Sequence, residues 1–477
     1  MLRTISFAIS SAILLALALP SAAQTTFTER VFVTNSGPTW VTTGDFDRDG
    51  LPDIAVAAEI SNSVEIFKNT GNNNYTFVGS NFVGGSRLVE TADFNKDGKL
   101  DLAVANDTQP PMVTILTGVG NGAMSPTASF ATTFPVWDLE LGDLNGDGAV
   151  DIITHECKTD SSSCTVKTYK NDGTGHFTPW QTLIPAGTAT FPAIRHTLAV
   201  ADFNGDGKLD VIALELNGFE VFLGHGDGTF AAPTGKTISG GFGLTYGSFN
   251  NTDRSLDIAL GRQTPTCTAP PCTSDILDYL NNGAGNLSLR SKTQMFGSNL
   301  VAVDVNGDLI TDIVGLNLGH FDGNLQYVLG DGHGIFSAAH QLAGPDTGQV
   351  VVARDMNLDG RHDLIIPENM PSDVLIEVNN NAAVTCAPPG SGTLHAKFCA
   401  PAANATVPLT FTVRGSGNSP AGVVRLEIWI DGKKRTQMWN DQIRASITVS
   451  AGKHRVALVA VDKFGAHSTN AINITAQ

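Results

Sequence analysis

Short acidic segments contain the side chains of this chain that are best suited to chemistry. One of them, DFNGDGKLD (residues 202–210), carries Asp202, Asn204, Asp206 and Asp210 at positions 1, 3, 5 and 9 and Gly207 at position 6. A hard cation such as calcium takes about six to eight oxygen ligands, and these side chains with the carbonyl at position 7 can supply them. Glycine at position 6 permits the positive φ of a sharp turn. The spacing therefore predicts a calcium-binding loop.

The same pattern recurs in copies that begin at Asp45, Asp93, Asp143, Asp304 and Asp355, and a worn copy, SFNNTDRSLD, begins at Ser248. In one copy Leu309 replaces the glycine at position 6, which costs about 1–2 kcal/mol if that residue is left-handed. We expect about five to six calcium ions and none at Ser248. The further predicted ligands are Asp45, Asp47, Asp49, Asp53, Asp93, Asn95, Asp97, Asp101, Asp143, Asn145, Asp147, Asp151, Asp304, Asn306, Asp308, Asp312, Asp355, Asn357, Asp359 and Asp363.

Other interpretations of these segments fit less well. An EF-hand needs a glutamate at position 12, whereas here the chain continues as an apolar, strand-like run. A phosphate-binding loop needs a helix or a Lys-Ser/Thr pair after its glycines, and these segments have neither. Polar turns without metal stay open as an alternative, although carboxylates crowded as in DFDRDGLPD repel one another unless a cation lies among them.

The elements that position these loops also repeat. The seven copies start 48, 50, 59, 46, 56 and 51 residues apart, and each combines a β-rich run, the loop, an apolar run and a later Gly-rich turn. Four short strands per repeat predict one propeller blade per copy. The seventh copy lacks a fourth strand, and we expect the N-terminal segment TTFTERVFVTN to supply it and so to leave no free sheet edge.

The seven in-phase copies resemble FG-GAP or VCBS repeats, whose best-known members are the seven-bladed propellers of integrin α subunits. The resemblance covers roughly residues 27–383. The Gly-Ala-Pro segment that follows the loop in integrins is absent, so the chain is more similar to the bacterial VCBS form. Integrin-type ligand recognition is therefore not implied.

Residues 394–477 do not continue the repeat. Alternating runs such as VVRLEIWI and HRVALVAV, with a turn at Asp431-Gly432, predict a small β-sandwich. The segments WIDGKKR, AGKHRVALVAVDKFG and INITA resemble bacterial Ig-like domains. The expected fold is all-β, with a signal peptide at 1–23, a seven-bladed β-propeller at 24–383, a linker at 384–393 and an Ig-like β-sandwich at 394–477.

The first 23 residues are typical of a secretory signal, with Arg3, an apolar stretch from Ile5 to Leu19 and small residues before Gln24. We expect a secreted, periplasmic or cell-surface protein without membrane insertion. The formal net charge of −17 disfavours nucleic acid, because phosphate backbones are bound by clustered Lys and Arg. In an exported chain, six closely spaced cysteines predict three local disulfides: Cys157–Cys164, Cys267–Cys272 and Cys386–Cys399.

A candidate binding face follows from the strand order. If the acidic loop joins strands one and two of a blade, the cysteine-bearing loops 155–164 and 261–272 and the long connection 183–196 lie on the opposite face. Aromatic rings with amide and guanidinium donors near the start of the first strands suit stacking and hydrogen bonding to a sugar. Alternatively, Trp40 and Trp137 only fill the blade interface. The predicted ligand-binding residues on this face are Trp40, Arg87, Trp137, His196, Asn299 and Gln349.

Catalysis has little support, because the histidines lack metal-ligand spacing and no Gly-x-Ser-x-Gly motif occurs. We expect a monomeric, non-catalytic binding or adhesion protein for a glycan, a cell-surface polymer or an extracellular protein. The alternatives are a polysaccharide-degrading lyase or hydrolase that uses the same face, and a protein-binding scaffold.

Overall fold

The computed structural model describes residues 26–187, 196–238, 240–250, 255–263, 274–295, 297–316, 325–342, 348, 350–381, 386–390 and 392–477. These segments form strands, turns and loops. No helix in the described segments is long and apolar enough to cross a membrane. The predicted signal peptide, Cys267, Cys272, Gln349 and part of the connection 183–196 lie outside the described residues.

Within the described residues, seven four-stranded antiparallel sheets, called blades 1 to 7 here, form the larger domain. The N-terminal strand, β1 (Phe27–Val33), belongs to blade 7. Blade 1 contains β2 (Pro38–Gly44), β3 (Asp53–Ala58), β4 (Ser63–Asn69) and β5 (Tyr75–Phe82). Blade 2 contains β6 (Ser86–Ala92), β7 (Asp101–Asn106), β8 (Met112–Gly118) and β9 (Met124–Ala131). Blade 3 contains β10 (Val136–Gly142), β11 (Asp151–Cys157), β12 (Cys164–Asn171) and β13 (Phe177–Ile184). Blade 4 contains β14 (Leu198–Ala201), β15 (Asp210–Glu215), β16 (Gly218–Phe222) and β17 (Thr234–Thr237). Blade 5 contains β18 (Gly241–Gly247), β19 (Asp257–Gln263), β20 (Ser274–Asn281) and β21 (Leu287–Gln294). Blade 6 contains β22 (Asn299–Val303), β23 (Asp312–Leu316), β24 (Leu325–Val328) and β25 (His340–Leu342). Blade 7 adds β26 (Val352–Arg354), β27 (Asp363–Glu368) and β28 (Asp373–Asn379) to β1.

The blades are arranged in a closed ring. The first strand of each blade neighbours that of the next, from β2 through β6, β10, β14, β18 and β22 to β26, and β26 lies beside β2 again. β1 pairs with β28 along its whole length, with Phe27 opposite Asn379 and Val33 opposite Asp373. The predicted closure by the N-terminal segment is confirmed, and it gives the last blade its fourth strand.

Burial follows the position of each strand in its blade. The second strands, such as β3 (DIAVAA) and β7 (DLAVAN), are buried at every residue. A strand covered on both faces favours a continuous apolar run over alternation, which explains these sequences. The outer strands β5 and β9 are mostly exposed. The blades therefore pack their central strands against one another and present their fourth strands to solvent.

Each blade donates a hydrogen bond to the preceding blade, and the acceptor is the main-chain carbonyl at position 2 of the preceding blade's loop. In some blades the donor is an asparagine side chain at the end of the third strand, as when Asn171 Nδ2 donates to Phe94 O at 2.9 Å. In the blades between them it is a main-chain N–H of the following hairpin, as when Gly122 N donates to Phe46 O at 3.1 Å. Each of these carbonyls thereby gains a partner. The other pairs are Gly228–Leu144, Gly334–Phe249, Asn281–Phe203, Asn379–Val305 and Asn69–Met356.

The C-terminal domain consists of two sheets around one core. The smaller sheet contains β29 (His395–Ala400), β31 (Thr410–Asn418) and β34 (Gln442–Thr448), and the larger contains β30 (Thr406–Val407), β32 (Val423–Ile430), β33 (Lys433–Met438), β35 (Gly452–Asp462) and β36 (His467–Ala476). Val413 of the smaller sheet and Leu426 of the larger share this core. The predicted turn between β32 and β33 has positive φ at Asp431 (50°) and Gly432 (78°), as a two-residue hairpin requires. The Ig-like resemblance stays a prediction.

The C-terminal domain lies on the face of the propeller that carries the acidic loops. The Gln442 side-chain amide donates to the carbonyl of Gly360 in the loop of blade 7. Arg354 Nη2 donates to Ser419 O at 2.6 Å, and Lys463 Nζ lies 3.8 Å from Glu90 Oε2. These contacts span both the blade-7 loop and the centre of the ring.

Candidate functional site

The acidic loops share one backbone conformation. In the loop 202–210, Asp202 accepts hydrogen bonds from the N–H groups of Asp206 (3.1 Å) and Gly207 (2.9 Å), which curl the loop around its first carboxylate. Gly207 has a φ of 84°, as predicted for position 6. Position 4 is left-handed as well, with Gly205 at 76°. The left-handed conformation at position 4 was not predicted, although glycine occupies that position at residues 146, 205 and 307.

Leu309, which replaces the glycine at position 6, adopts the left-handed backbone conformation. Its φ is 67°, and its N–H donates to Asp304 Oδ2 at 2.7 Å, as the glycine at position 6 does in the intact loops. A residue with a Cβ is disfavoured in this conformation by about 1–2 kcal/mol. The loop of blade 6 therefore keeps the common fold under local strain.

The aspartate at position 9 joins each loop to the third strand of its blade. Asp210 is fully buried and accepts hydrogen bonds from Phe203 N at 2.9 Å and Gly224 N at 2.8 Å. Asp257, in the worn copy, makes the equivalent contacts with Phe249 N and Asn281 N. Position 9 was predicted only as a metal ligand, and its retention in the worn copy was the sign of this structural role. The equivalent, fully buried residues are Asp53, Asp101, Asp151, Asp312 and Asp363.

The loops concentrate negative charge that is costly to bury. Burial, with nearby carboxylates adding to it, raises the pKa of Asp53 to about 7 and that of Asp101, Asp151 and Asp210 to about 6. Burial likewise raises the pKa of Asp312 to about 8. Backbone N–H donors act against this rise but do not cancel it. A cation among the carboxylates would favour their charged forms.

The donor set of the loop 45–53 fits a hard cation. One oxygen each of Asp45, Asp47 and Asp49 can be chosen so that all lie within 4.8 Å of one another. Lys68 contacts Asp47 and lies 3.0 Å from Asp49 Oδ2, so an ammonium group already offsets part of the charge. A calcium ion bound there would have to displace Lys68. The carboxylate and amide oxygens at the other predicted ligand positions are of the type that calcium prefers.

The predicted ligand-binding residues at the starts of the first strands form two stacked pairs. The rings of Trp40 and His196 are 4.8 Å apart, and Arg87 Cζ lies 4.1 Å from the ring centroid of Trp137. Trp40 is only 2% exposed, and its Nε1 donates to Glu90 Oε1 at 3.1 Å. Asn299 is fully buried and accepts a hydrogen bond from Val351 N at 3.0 Å.

Three N–H groups of this set are unused. Arg87 Nε, Trp137 Nε1 and Asn299 Nδ2 are buried and have no hydrogen-bond partner among the described residues. The Cys157–Cys164 disulfide closes the β11–β12 connection on the same face, as predicted. The Cys386–Cys399 disulfide is also present, in the segment that leads into the C-terminal domain.

Asp138 also belongs to this region, which was not predicted from the sequence. Asp138 is fully buried, and its Oδ2 accepts hydrogen bonds from Thr197 N at 2.6 Å and Leu198 N at 2.8 Å. It thereby fixes the chain that follows His196. Its signal was an acidic residue placed between Val136 and Leu139 at the start of a strand.

Fold and loop geometry together define a β-propeller protein. Four consecutive stretches, residues 45–104, 93–154, 159–213 and 202–259, match the FG-GAP-like repeat family. The chain therefore carries FG-GAP-like repeats in this region, in agreement with the resemblance seen in the sequence.

Solved structures with related folds include BBS1N in complex with ARL6DN, at 12% identity and a TM-score of 0.51 over 75% of this chain and 97% of that chain. This similarity supports the fold alone. Others are an Agrocybe aegerita lectin described as recognising non-reducing terminal N-acetylglucosamine (19% identity, TM-score 0.45, 74% and 87% coverage) and the Dos1 propeller (12%, 0.43, 73% and 81%). No curated protein matches this chain.

Proposed function

We propose that this protein is an exported, calcium-stabilised propeller that binds a glycan or cell-surface polymer and catalyses no reaction. The observation that carries the proposal is the Arg87–Trp137 pair, in which a guanidinium lies over an indole and both keep a buried N–H without an acceptor. A ligand rich in oxygen acceptors would satisfy these donors. Arg87 and Trp137, like His196, are partly rather than fully buried, so a ligand can reach part of these side chains.

The proposed calcium ions stabilise the scaffold that holds this site. Acidic loops of common geometry lie at the first turn of the blades, and each crowds carboxylates that repel one another without a cation. At ten times the dissociation constant, one bound ion contributes about 1.4 kcal/mol, so five independent sites contribute about 7 kcal/mol. This is comparable to the whole stability of an ordinary domain.

The binding proposal is tested on immobilised glycans and insoluble polysaccharides, with the full mature chain in calcium. Trp137→Ala is compared with Trp180→Ala, because Trp180 on the outer strand β13 also stacks with a cation, Lys170 Nζ, at 5.2 Å. We expect binding that Trp137→Ala abolishes and Trp180→Ala preserves. Equal binding by both variants, or none by the wild type, contradicts the assigned site. Release of soluble sugar would favour the lyase or hydrolase alternative instead.

A further inference from the structure

Arg87 is a cation without a counterion in the part of the molecule that the structure describes. Its guanidinium lies over the indole of Trp137, with Cζ 4.1 Å from the ring centroid. No described carboxylate forms an ion pair with Arg87, and its Nε is enclosed without a hydrogen-bond partner. The side chain is partly buried, and a guanidinium keeps its charge at every pH at which proteins function. A charge that is partly removed from water in this way favours a negative partner.

Other cations that lie over aromatic rings differ from Arg87 in this respect. Arg425 Cζ lies 4.7 Å from the ring centroid of Trp439, and its Nε is 2.9 Å from Glu427 Oε1. The remaining cations are either near a carboxylate or exposed to water: Lys170 over Trp180 is 3.5 Å from Asp147, Lys463 over Phe464 is 3.8 Å from Glu90, and Lys158 and Lys236 are exposed. Among these described pairs, Arg87 is therefore the partly buried cation that has no anion.

The carboxylates near the first strands of blades 2 and 3 have other partners. Asp138, Glu156 and Glu90 accept hydrogen bonds from Thr197 N, Thr133 N and Trp40 Nε1 at 2.6, 2.7 and 3.1 Å. The other described charged residues at this end of the two blades are exposed or partly exposed, and two are basic and two acidic: Lys158, Lys167, Asp107 and Asp160. Charges in contact with water are screened, so they do not replace a direct partner for the guanidinium.

The terminal nitrogens of Arg87 suit an anionic oxygen group. Of the nitrogens of this side chain only Nε is enclosed without a partner, and Nη1 and Nη2 donate no hydrogen bond to a described residue. A guanidinium can donate two parallel N–H bonds to one carboxylate, and charge-assisted bonds of this kind are about twice as strong as neutral ones. The indole of Trp137 restrains the guanidinium before a ligand arrives, which lowers the entropic cost of binding.

We propose that Arg87 binds a carboxylate or sulfate group, and that the glycan or cell-surface polymer bound at this face is therefore acidic. The inference rests on the binding site in the proposed function and names the chemistry of its ligand. A neutral sugar leaves the guanidinium without an anion, whereas an acidic sugar forms an ion pair with it. Because the formal net charge of −17 repels polyanions in general, a preference for acidic polymers would depend on this local contact.

The test compares acidic polymers with neutral forms of the same backbone, with the full chain in calcium. Polygalacturonate, alginate and hyaluronate are each paired with their methyl esters, and dextran sulfate is paired with dextran, so that carboxylate and sulfate are tested separately. The variants are Arg87→Gln, which removes the charge, and Arg87→Lys, which retains the charge without the planar fork. Arg425→Gln is the matched control, because Arg425 also lies over an indole but has Glu427 as its counterion. Thermal unfolding shows whether each variant is folded.

We expect the wild type to bind the acidic form of at least one pair about tenfold more tightly than the neutral form, and Arg87→Gln to bring this ratio to about one. Arg87→Lys should give an intermediate ratio, and Arg425→Gln should leave the ratio unchanged. If the wild type binds glycans but does not prefer an acidic form, or if Arg87→Gln keeps the full preference, the inference is wrong while glycan binding stands. If the wild type binds no glycan or polysaccharide in either form, the proposed function fails and this inference with it.

Discussion

Asn69 Nδ2 donates a hydrogen bond to the main-chain carbonyl of Met356 at 2.7 Å, across the junction between blade 1 and blade 7. The same amide donates to Pro52 O at 3.1 Å, so one fully buried side chain joins the first blade to the last. This junction closes the ring between residues that are 287 positions apart in the chain.

The hydrogen bonds of Asn69 predict that replacing this one side chain destabilises the protein. Asn69→Ala leaves two buried carbonyls without this donor and should lower the free energy of unfolding by about 1–3 kcal/mol. Asn74→Ala is the control, because Asn74 donates to Gly71 O within an exposed turn. Urea denaturation of both variants measures the difference. Equal stability of the two would show that the junction does not depend on Asn69.

The left-handed conformation of Leu309 predicts a stabilising substitution. Leu309→Gly should raise the free energy of unfolding by about 1 kcal/mol, because glycine adopts a φ of 67° without the Cβ penalty. Ile310→Gly, at the adjacent position without positive φ, should instead lower it. Thermal unfolding of the two variants gives the signs. A loss of stability in Leu309→Gly would mean that the leucine side chain contributes more by packing than its backbone costs.

Asp278 predicts a pH-dependent stability. It is fully buried, neither carboxylate oxygen has a hydrogen-bond partner among the described residues, and burial, aided by the charge of Asp257, raises its pKa to about 8. The folded protein thus holds a proton that the unfolded chain releases above a pH of about 4. Its contribution to stability is full below that pH and falls by up to about 1.4 kcal/mol per pH unit until about pH 8.

Asp278→Asn cannot ionise and should lack this dependence. Its stability relative to the wild type should therefore rise between pH 5 and 8, as measured by urea denaturation at a series of pH values. The exposed Asp227→Asn variant should run parallel to the wild type over this range. A constant difference between Asp278→Asn and the wild type would contradict the raised pKa of Asp278.

Asp206, at position 5 of an intact loop, and Asp257, the position-9 equivalent in the worn copy, predict different dependences of stability on calcium. Asp257→Asn should lower the melting temperature equally in calcium and in chelator, because this carboxylate accepts hydrogen bonds from Phe249 N, Asn281 N and the Asn250 amide. Asp206→Asn should lower it only in calcium, because Asp206 is exposed and is proposed mainly as an ion ligand. Melting curves of both variants in the two buffers separate these roles. Loss of stability by Asp206→Asn in chelator would assign it a structural role as well.

The repeat made most of the fold predictable. Copies of one pattern located the blades, and the missing fourth strand of the seventh copy identified the N-terminal segment as the strand that completes blade 7. Local chemistry also predicted the positive φ of Gly207 and the turn at Asp431-Gly432. These features depend on residues that are close in sequence or equivalent between repeats, so a single sequence contains them.

Contacts between distant, non-equivalent residues could not be predicted. The stacking of Trp40 on His196 exists only because the ring brings blades 1 and 4 across its axis. The docking of the C-terminal domain depends on Gln442 and Gly360, and neither belongs to a pattern that marks it as a partner. Contacts of both kinds therefore appear only in the folded chain.

The most direct test of structural calcium is the melting temperature of the protein, with its metal content determined by elemental analysis. If calcium is structural, the purified protein contains calcium, a chelator removes it and lowers the melting temperature, and added calcium restores the original value. Metal-free protein that melts at the same temperature in calcium and in chelator would contradict it.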